Sequence, residues 1–310
     1  MGEDAFRHEA FLYADERELV DGAARFVEDG LDAGEPVLVV LPAVKIRLLR
    51  ERLDGRAEQV AFADMAVVGR NPGRLLHVWH DFAEREVGRG RRARGIGEPV
   101  SPERSADELA EWQRHERLLN LAFEGGPQWW LMCPYDIRTL AGESVGAMRR
   151  SHPMLRMDGE SYPNLRYQQT DPAERPAREL RPAPATARER PIDEASLDDA
   201  RAAVQRDAQR AGLSHGGAQD LVAAVSELMA NSLRHGGGRG VLRTWDDGDA
   251  LVFEVEDNGV IADPLVGRRL PPPDATAGRG LWLVNQLCDL VELSSDKGSG
   301  TTVRVHMHHR

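Results

Sequence analysis

The sequence lacks a long apolar segment, an excess of positive charge and a secretory signal. No apolar run approaches the ~20 residues that span a bilayer, and the most apolar stretch, residues 36–42, suits a buried strand. Lys and Arg total 40 against 51 Asp and Glu, so the net charge of -11 disfavours binding to nucleic acid or to anionic membranes. The start of the chain has neither a basic stretch nor an apolar core. We therefore expect a cytoplasmic protein that binds neither nucleic acid nor membrane.

Cysteine is scarce, and a common nucleotide-binding motif is missing. Cys133 and Cys288 fall in what we predict to be different domains, so neither a disulfide bridge nor a cysteine-based zinc site is expected. The phosphate-binding sequence Gly-x-x-x-x-Gly-Lys-[Ser/Thr] is absent, and Lys45 does not stand in that context. The first half of the chain is therefore predicted to be non-catalytic.

The 310 residues predict two domains, since a domain usually has ~100–200 residues. Between residues 171 and 191, five prolines alternate with charged residues and alanines, and Leu180 is the only large aliphatic side chain. Such a segment buries too little apolar surface to fold alone, although part of it could add an edge strand to a neighbouring sheet. We predict a first domain over 1–165, a Pro/Ala/Arg-rich linker over 166–191 and a second domain over 192–310.

In the first domain, short apolar segments alternate with amphipathic ones. Apolar residues follow helical spacing over 19–30, and Gly34-Glu35-Pro36 ends that helix. Strands separated by helices form crossover units, which predicts an α/β fold with a mostly parallel sheet. The predicted strands are 37–41, 59–62, 93–97 and 129–133, and the predicted helices follow Pro42, follow Pro72 and cover 102–123.

The order of elements changes in the second domain. Two helices come first, and a strand pair with an Asp-Asp-Gly-Asp turn follows them. A loop rich in glycine and proline then leads to a further helix and two strands. This order predicts an α+β fold with helices on one face of a mixed sheet. The predicted helices are 197–211, 217–235 and 280–290, and the predicted strands are 239–245, 250–257, 291–294 and 301–306.

The helix over 217–235 carries a polar stripe beside its apolar one. Glu227 and Asn231 lie one turn apart on this stripe. A carboxylate and an amide at this spacing can order a hydrated cation and a nucleophile. Glu and Asn one turn apart are also common on the solvated face of a helix, so only the neighbouring motifs can support a functional role for this pair.

Three further motifs contain glycine next to a strand or helix end. Asp257 ends a strand and is followed by Gly259, so the carboxylate could accept a hydrogen bond from a ligand amino group while the backbone approaches closely. Gly278 and Gly280 precede an apolar helix, whose N-terminus can bind an anion. The segment 298–302 precedes the last strand. Each motif alone is equally typical of a turn.

In order and spacing, these four motifs resemble the boxes of the ATP-binding fold that gyrase, Hsp90, histidine kinases and MutL share, called the GHKL or Bergerat fold. Residues 190–308 are similar to its compact form in bacterial anti-sigma-factor serine kinases of the RsbW type. The resemblance implies that Asn231 is a ligand of Mg²⁺ and that Glu227 is the general base. It also implies that Asp257 binds the adenine amino group of ATP and that Thr302 supports adenine recognition.

The resemblance extends to the phosphate end of the nucleotide. It implies that Gly278 and Gly280 lie at the phosphates and that the loop 260–277 is a nucleotide lid. One position departs from the family pattern, because Ile261 stands where a second glycine often follows Gly259. This departure bears on lid mobility and phosphate contact more than on adenine recognition.

The first domain resembles the MEDS sensory domain, which implies a RecA-like α/β core and a small-molecule ligand. The resemblance rests on His8-Glu9-Ala10 with Tyr13, on residues 30–39 and on Cys133-Pro134-Tyr135-Asp136. Some polar residues of this half could line a ligand pocket or bind a metal, or could be satisfied structural residues: His8, His115, Cys133, Tyr135 and Asp136. The residues His306, His308 and His309 are interpreted as a frayed strand end.

Together the two resemblances match RsbA-type anti-sigma regulators. They imply an ATP-binding regulator that sequesters a sigma factor and phosphorylates an antagonist of the STAS type on Ser or Thr, with a homodimer through the ATPase domain. Two alternatives stay open. The protein could be an interaction module that binds ATP without kinase activity. It could also be a histidine kinase, although His115-Glu116 and His152-Pro153 lack the sequence context of a phosphoacceptor.

Overall fold

The computed structural model describes residues 6–87, 91–98, 104–169, 180–271 and 278–309. The chain divides into two compact units, Met1–Asp171 (unit 1) and Pro172–Arg310 (unit 2). Among the described residues, no helix combines the length and the apolar character that crossing a membrane requires.

Unit 1 is a seven-stranded sheet with helices in the connections. The sheet has the order β3-β2-β4-β5-β1-β6-β7, and its strands pair in parallel except for the antiparallel pair β6 and β7. The strands are β1 (Arg7–Tyr13), β2 (Val37–Leu41), β3 (Ala61–Asp64), β4 (Ala93–Gly97), β5 (Trp129–Asp136), β6 (Met154–Met157) and β7 (Glu160–Pro163). The helices are α1 (Glu16–Asp32), α2 (Ala43–Leu53), α3 (Met65–Val68), α4 (Pro72–Val87), α5 (Ala106–Ala122) and α6 (Gly142–Ser151), with a 3-10 turn at Asp54–Gln59.

Local sequence signals explain the main elements of unit 1. Asp15 begins α1 by accepting a hydrogen bond from the Glu18 amide at 2.9 Å. Ser105 and Glu108 form a capping box at the start of α5, as their spacing predicts. All residues of β2 are buried, because both faces of a parallel sheet are covered. The prediction of a mostly parallel α/β sheet is confirmed.

Unit 2 is a five-stranded sheet with three helices. Its elements are β8 (Arg188–Ile192), α7 (Leu197–Arg210), α8 (His215–His235), β9 (Gly240–Asp246), β10 (Ala250–Asp257), α9 (Arg279–Leu287), β11 (Leu290–Asp296) and β12 (Gly300–His308). The strand order is β11-β12-β10-β9-β8. The apolar core lies between one face of this sheet and the helices, and it includes Val204, Leu221, Val225, Leu228, Phe253, Val284, Val303 and Val305.

The α+β prediction for unit 2 is confirmed, with one correction to the sheet. Every strand pair is antiparallel, so the sheet is not mixed. Residues 188–191, at the end of the predicted linker, belong to β8, which pairs with β9 at the edge of the sheet. The linker bounds otherwise stay a prediction, and residues 170–179 lie outside the described part of the chain.

Candidate functional site

Helix α8 presents an apolar face to the core and a polar face to a cavity. Ser214 caps its start by accepting a hydrogen bond from the Gly217 amide at 3.1 Å. Leu221, Val225 and Leu228 are buried in the core of unit 2, whereas Glu227 and Asn231 are partly exposed and line a cavity of about 410 Å³.

This cavity brings together six of the residues that the sequence motifs single out. They come from three elements that are far apart in the sequence: α8, the end of β10 and the start of α9. The six residues are Glu227, Asn231, Asp257, Gly259, Gly278 and Gly280. Ile261, the residue at the departure from the family pattern, also lines the cavity.

Asp257 is held in place by the backbone around it. One of its carboxylate oxygens, Oδ1, accepts a hydrogen bond from the Gly259 amide at 2.7 Å. The Asn258 amide donates to the Gly236 carbonyl at 3.3 Å, which joins the end of β10 to the end of α8. A Cβ atom at Gly236 would overlap the Asp257 side chain, so only glycine allows this close approach. Among the described residues, the second carboxylate oxygen has no hydrogen-bond partner, so it can accept a hydrogen bond from a ligand.

Thr301, not Thr302, shares the cavity with Asp257. Strands β10 and β12 pair Asp257 with Thr301 and Glu256 with Thr302. Since neighbouring residues of a strand point to opposite faces, Thr302 lies on the other side of the sheet. There it lines a second cavity of about 660 Å³ together with Arg304. The role of Thr302 in adenine recognition stays a prediction, and the structure places Thr301 instead in the cavity with Asp257.

The Thr301 hydroxyl joins three backbone segments of the cavity wall. It donates to the Gly259 carbonyl at 2.9 Å and lies 2.7 Å from the Ser295 hydroxyl. Ser295 in turn accepts a hydrogen bond from the Ile261 amide at 2.8 Å. The hydroxyls of Thr301 and Ser295 thus fix the backbone that follows Asp257. Thr301, Val303 and Val305 are two residues apart on β12, and all three are buried. This apolar alternation is the sequence signal that places Thr301 on the face of the sheet that lines the cavity.

The start of α9 closes the other end of the cavity. Gly278 is the N-cap of α9 and has a φ of 91°, a left-handed conformation that favours glycine. A Cβ atom at Gly280 would overlap the Glu227 carboxylate. The first turn of α9 therefore packs directly against Glu227, and its amide groups form the kind of helix N-terminus that binds phosphate. Part of the predicted lid, residues 272–277, lies outside the described residues.

Two arginines that the sequence analysis did not single out also line this cavity. Arg234 is exposed, and its Nη2 lies 3.5 Å from Oε1 of Glu227. Arg279 is exposed and stands between the two glycines at the start of α9. These side chains supply positive charge beside Glu227 in a protein whose net charge is -11. The sequence signal for Arg234 is its position on the same face of α8 as Glu227, and the signal for Arg279 is its position between Gly278 and Gly280.

His306 and His308 are part of the sheet and His309 follows it directly, which corrects the interpretation of these histidines as a frayed strand end. Strand β12 continues to His308, and His306 is buried within it. The ring of His306 lies 3.0 Å from Glu292 and 3.7 Å from Asp247. Burial lowers the pKa of His306, but its hydrogen bonds to Asp247 and Glu292 raise it more, so its pKa is raised above 6.5.

In unit 1, the polar candidates separate into different places. His8 and Cys133 meet in one buried cluster with Glu116 and His152, and Tyr135 packs edge-on against the His152 ring. His115 is buried elsewhere on α5, against Trp112. Asp136 is at the end of β5, where it accepts a hydrogen bond from the Arg138 amide at 2.9 Å.

A second polar group lies at the carboxyl ends of the parallel strands of unit 1. The Tyr13 hydroxyl donates to Glu98 at 2.7 Å, and Lys45 donates to Tyr13 at 3.0 Å and pairs with Glu98. Burial and the Glu98 carboxylate raise the pKa of Tyr13. This edge is where open α/β sheets usually bind ligands.

Comparison with known proteins assigns a family to each unit. Residues 191–307 match the family model described as "Histidine kinase-like ATPase domain". Residues 7–153 match the model described as "MEDS: MEthanogen/methylotroph, DcmR Sensory domain". No curated protein matches the chain.

Several solved chains are similar to part of this chain. The structure of the RsbU and RsbW domains of Rv1364c from Mycobacterium tuberculosis is 20% identical over the aligned part, with a TM-score of 0.30. The alignment covers 41% of this chain and 33% of that one. This chain thus spans about a third of the length of that structure.

Unit 2 thus contains a domain that matches the histidine kinase-like ATPase model, and its antiparallel sheet with helices is consistent with that match. With the MEDS domain before it, the chain is a two-domain protein that combines a sensory and an ATP-binding domain, as its motifs indicate. This combination supports an ATP-binding regulatory role, in which nucleotide binding usually involves Mg²⁺.

Proposed function

We propose that the protein is an anti-sigma regulator that binds Mg-ATP in the cavity between α8, β10 and α9. The observation that carries the proposal is the convergence of Asn231, Asp257 and the start of α9 on this one cavity. An amide, a fixed carboxylate and a helix N-terminus are the groups that a hydrated cation, an adenine amino group and a phosphate chain each require.

Each group has a separate task in this proposal. The free carboxylate oxygen of Asp257 accepts a hydrogen bond from the adenine amino group, and Thr301 holds the adjoining backbone. Asn231 is a ligand of Mg²⁺, which supplies positive charge that offsets the phosphates. The amides at Gly278 and Gly280 bind the phosphate chain, and the side chains of Arg234 and Arg279 balance its charge.

The proposed reaction is transfer of the γ-phosphoryl group of ATP to a serine or threonine of a partner protein. Glu227 takes the proton of the attacking hydroxyl as the new O–P bond forms, and the bond to the β–γ bridging oxygen breaks to release ADP. The partner is a STAS-type antagonist, and the same ATPase domain, as a homodimer, sequesters a sigma factor in the cytoplasm. We further propose that a small molecule bound near Tyr13 and Glu98 of unit 1 controls this activity.

An ATP-dependent interaction module without kinase activity is the second candidate. It is favoured by the surroundings of Glu227, which contacts Arg234 and the backbone of Gly280 and so is already engaged. A histidine autokinase is disfavoured, since His115 and His152 are both fully buried and offer no accessible phosphoacceptor at these positions.

Transfer of labelled phosphate from ATP separates these functions. The full chain is incubated with labelled Mg-ATP and a candidate antagonist, and the Glu227→Gln variant is the control for chemistry. Label that appears on the antagonist with wild type but not with Glu227→Gln supports the serine/threonine kinase. Label on this chain would indicate autokinase, and retained nucleotide without transfer would indicate the interaction module. Absence of nucleotide binding would overturn the proposal.

A further inference from the structure

Four side chains that can bind a metal converge inside unit 1. His8 lies on β1, Cys133 on β5 and Glu116 on α5, and His152 follows the end of α6. All four are buried, with at most 3% of any of them exposed. They are brought together because β1 and β5 pair in parallel, with the Cα atoms of Ala10 and Cys133 as partners. His8 and Cys133 therefore lie on one face of the sheet.

The distances between the four donor atoms suit a single small ion. One donor atom from each side chain lies within 4.8 Å of all the others. Nε2 of His8 is 3.4 Å from Sγ of Cys133 and 3.2 Å from Oε2 of Glu116. Nε2 of His152 is 2.9 Å from the same Glu116 oxygen. Ligands of a tetrahedral zinc ion, at ~2.0–2.3 Å from the metal, have comparable mutual spacings.

The outer nitrogens of the two imidazoles are held by oxygen acceptors. Nδ1 of His152 lies 2.9 Å from the Met148 carbonyl, which can only accept. Nδ1 of His8 lies 3.2 Å from Oδ1 of Asn120. The amide nitrogen of Asn120 donates to the Ser151 carbonyl at 2.7 Å, so the oxygen end of this amide faces His8. Nδ1 of His152 also lies 3.0 Å from the Ser151 hydroxyl, which can donate instead to the Ala147 or Met148 carbonyl, so these contacts favour a hydrogen on both Nδ1 atoms.

With hydrogen on Nδ1, each neutral imidazole directs the lone pair of Nε2 into the cluster. The Glu116 oxygen between the two rings is also an acceptor, 3.2 Å from Nε2 of His8 and 2.9 Å from Nε2 of His152. Acceptors that face one another in a buried place are stabilised by a metal cation or a shared proton between them. Outer nitrogens held by oxygen are also the usual arrangement of metal-bound histidines.

We propose that His8, Glu116, Cys133 and His152 bind one Zn²⁺ ion in a closed tetrahedral site. Two imidazoles, a thiolate and a carboxylate suit zinc, whereas Mg²⁺ and Ca²⁺ take oxygen ligands. A thiolate and a carboxylate balance the two charges of the ion, so a neutral unit occupies the interior. The four protein ligands leave no coordination position for a substrate, which makes the site structural rather than catalytic.

Binding of zinc to this site converts the Cys133 thiol into a thiolate. The S–H bond breaks, the sulfur electron pair forms the bond to Zn²⁺, and the proton leaves to solvent. No electron is transferred. Because the ligands come from β1, β5, α5 and the end of α6, the ion joins parts of unit 1 that are distant in the sequence.

Metal content and cobalt substitution of the full chain test the site. The protein is purified without a polyhistidine tag, its zinc is measured by mass spectrometry, and Co²⁺ is added to the metal-free form. Cys133→Ser is compared with Cys288→Ser, a matched control because Cys288 is an equally buried thiol in unit 2. We expect ~1 zinc per chain and a thiolate-to-cobalt charge-transfer band in wild type and Cys288→Ser, and loss of both in Cys133→Ser.

The Cys288→Ser variant keeps the test decisive even where Cys133→Ser does not fold. In that variant Cys133 is the only thiol of the chain, so a charge-transfer band must come from it. Folded wild-type protein that holds no zinc after exposure to it and gives no such band with Co²⁺ would overturn the proposal. The cluster would then be a hydrogen-bonded group that shares protons instead of a metal.

Discussion

Asp257→Asn is expected to weaken ATP binding while leaving unit 2 folded. The two side chains have nearly the same shape, and Oδ1 of an asparagine can still accept the hydrogen bond that the Gly259 amide makes at 2.7 Å. The other oxygen is replaced by an NH₂ group. A donor would then face the adenine amino group, which is also a donor, so one hydrogen bond to a charged acceptor is lost.

The expected size of this effect follows from the strength of such a bond. Hydrogen bonds to charged groups contribute about 1.5–3 kcal/mol, and every ~1.4 kcal/mol is a tenfold change in affinity. The Kd for Mg-ATP should therefore rise by about 10- to 150-fold in Asp257→Asn. The free energy of unfolding should change by less than ~1 kcal/mol, since the bond to Gly259 is kept.

Isothermal titration calorimetry with a non-hydrolysable Mg-ATP analogue measures the Kd directly. Glu256→Gln is the matched control, because Glu256 precedes Asp257 on β10 and contacts Arg243 on the other face of the sheet. An unchanged Kd in Asp257→Asn, with the fold intact by circular dichroism, would refute the role of Asp257 in recognising adenine. An equal loss in Glu256→Gln would show that the effect is not specific to the cavity.

Three further outcomes are expected. Thr301→Ala should weaken ATP binding several-fold in the same titration, because the Gly259 carbonyl loses its 2.9 Å hydrogen bond. Thr302→Ala should bind ATP as wild type does. Equal effects of the two substitutions would argue against Thr301 as the residue that supports the site. Glu227→Gln should keep the wild-type Kd for ATP but lose phosphoryl transfer by ~10²–10⁴-fold, and unchanged transfer in a single-turnover assay would exclude Glu227 as the base. Folding raises the pKa of His306, so its contribution to stability is complete below the unfolded pKa of ~6.5 and is lost as the pH rises through the folded pKa. The ratio of the hydrogen-exchange rate of β12 in wild type to that in His306→Gln should therefore increase with pH. A ratio that does not change with pH would contradict this.

The sequence predicts those elements best whose signals are local. The strands 37–41 and 93–97 agree with β2 and β4 because each is a compact run with a clear end. The short pair β6 and β7 has no such signal, since its residues are mostly half-buried or exposed. The segment of β1, which carries His8 and Tyr13, contains a family motif but no local pattern that predicts a strand.

The candidate site of unit 2 was accessible from sequence because each motif lies within one element. The sequence does not establish which residues of β12 face the cavity, because a shift of one residue moves Thr302 to the opposite face of the sheet. The cluster in unit 1 is predicted only in part, since His8 and Cys133 are among the candidate metal ligands but Glu116 and His152 are not. His8, Glu116, Cys133 and His152 are scattered over the chain, and a zinc site was judged from the number of cysteines, whereas tertiary contacts supply three ligands that are not cysteine.

The two glycines that face acids across the nucleotide cavity differ in what a methyl group would do. At Gly236 a methyl meets the short side chain of Asp257 close to its backbone, so the acid has nowhere to go. At Gly280 the atoms nearest to a methyl belong to the flexible side chain of Glu227, which can swing aside. Gly236→Ala is therefore expected to abolish nucleotide binding, whereas Gly280→Ala is expected to keep it while displacing the Glu227 carboxylate. Alleles that encode these two variants would separate the two effects in a living cell.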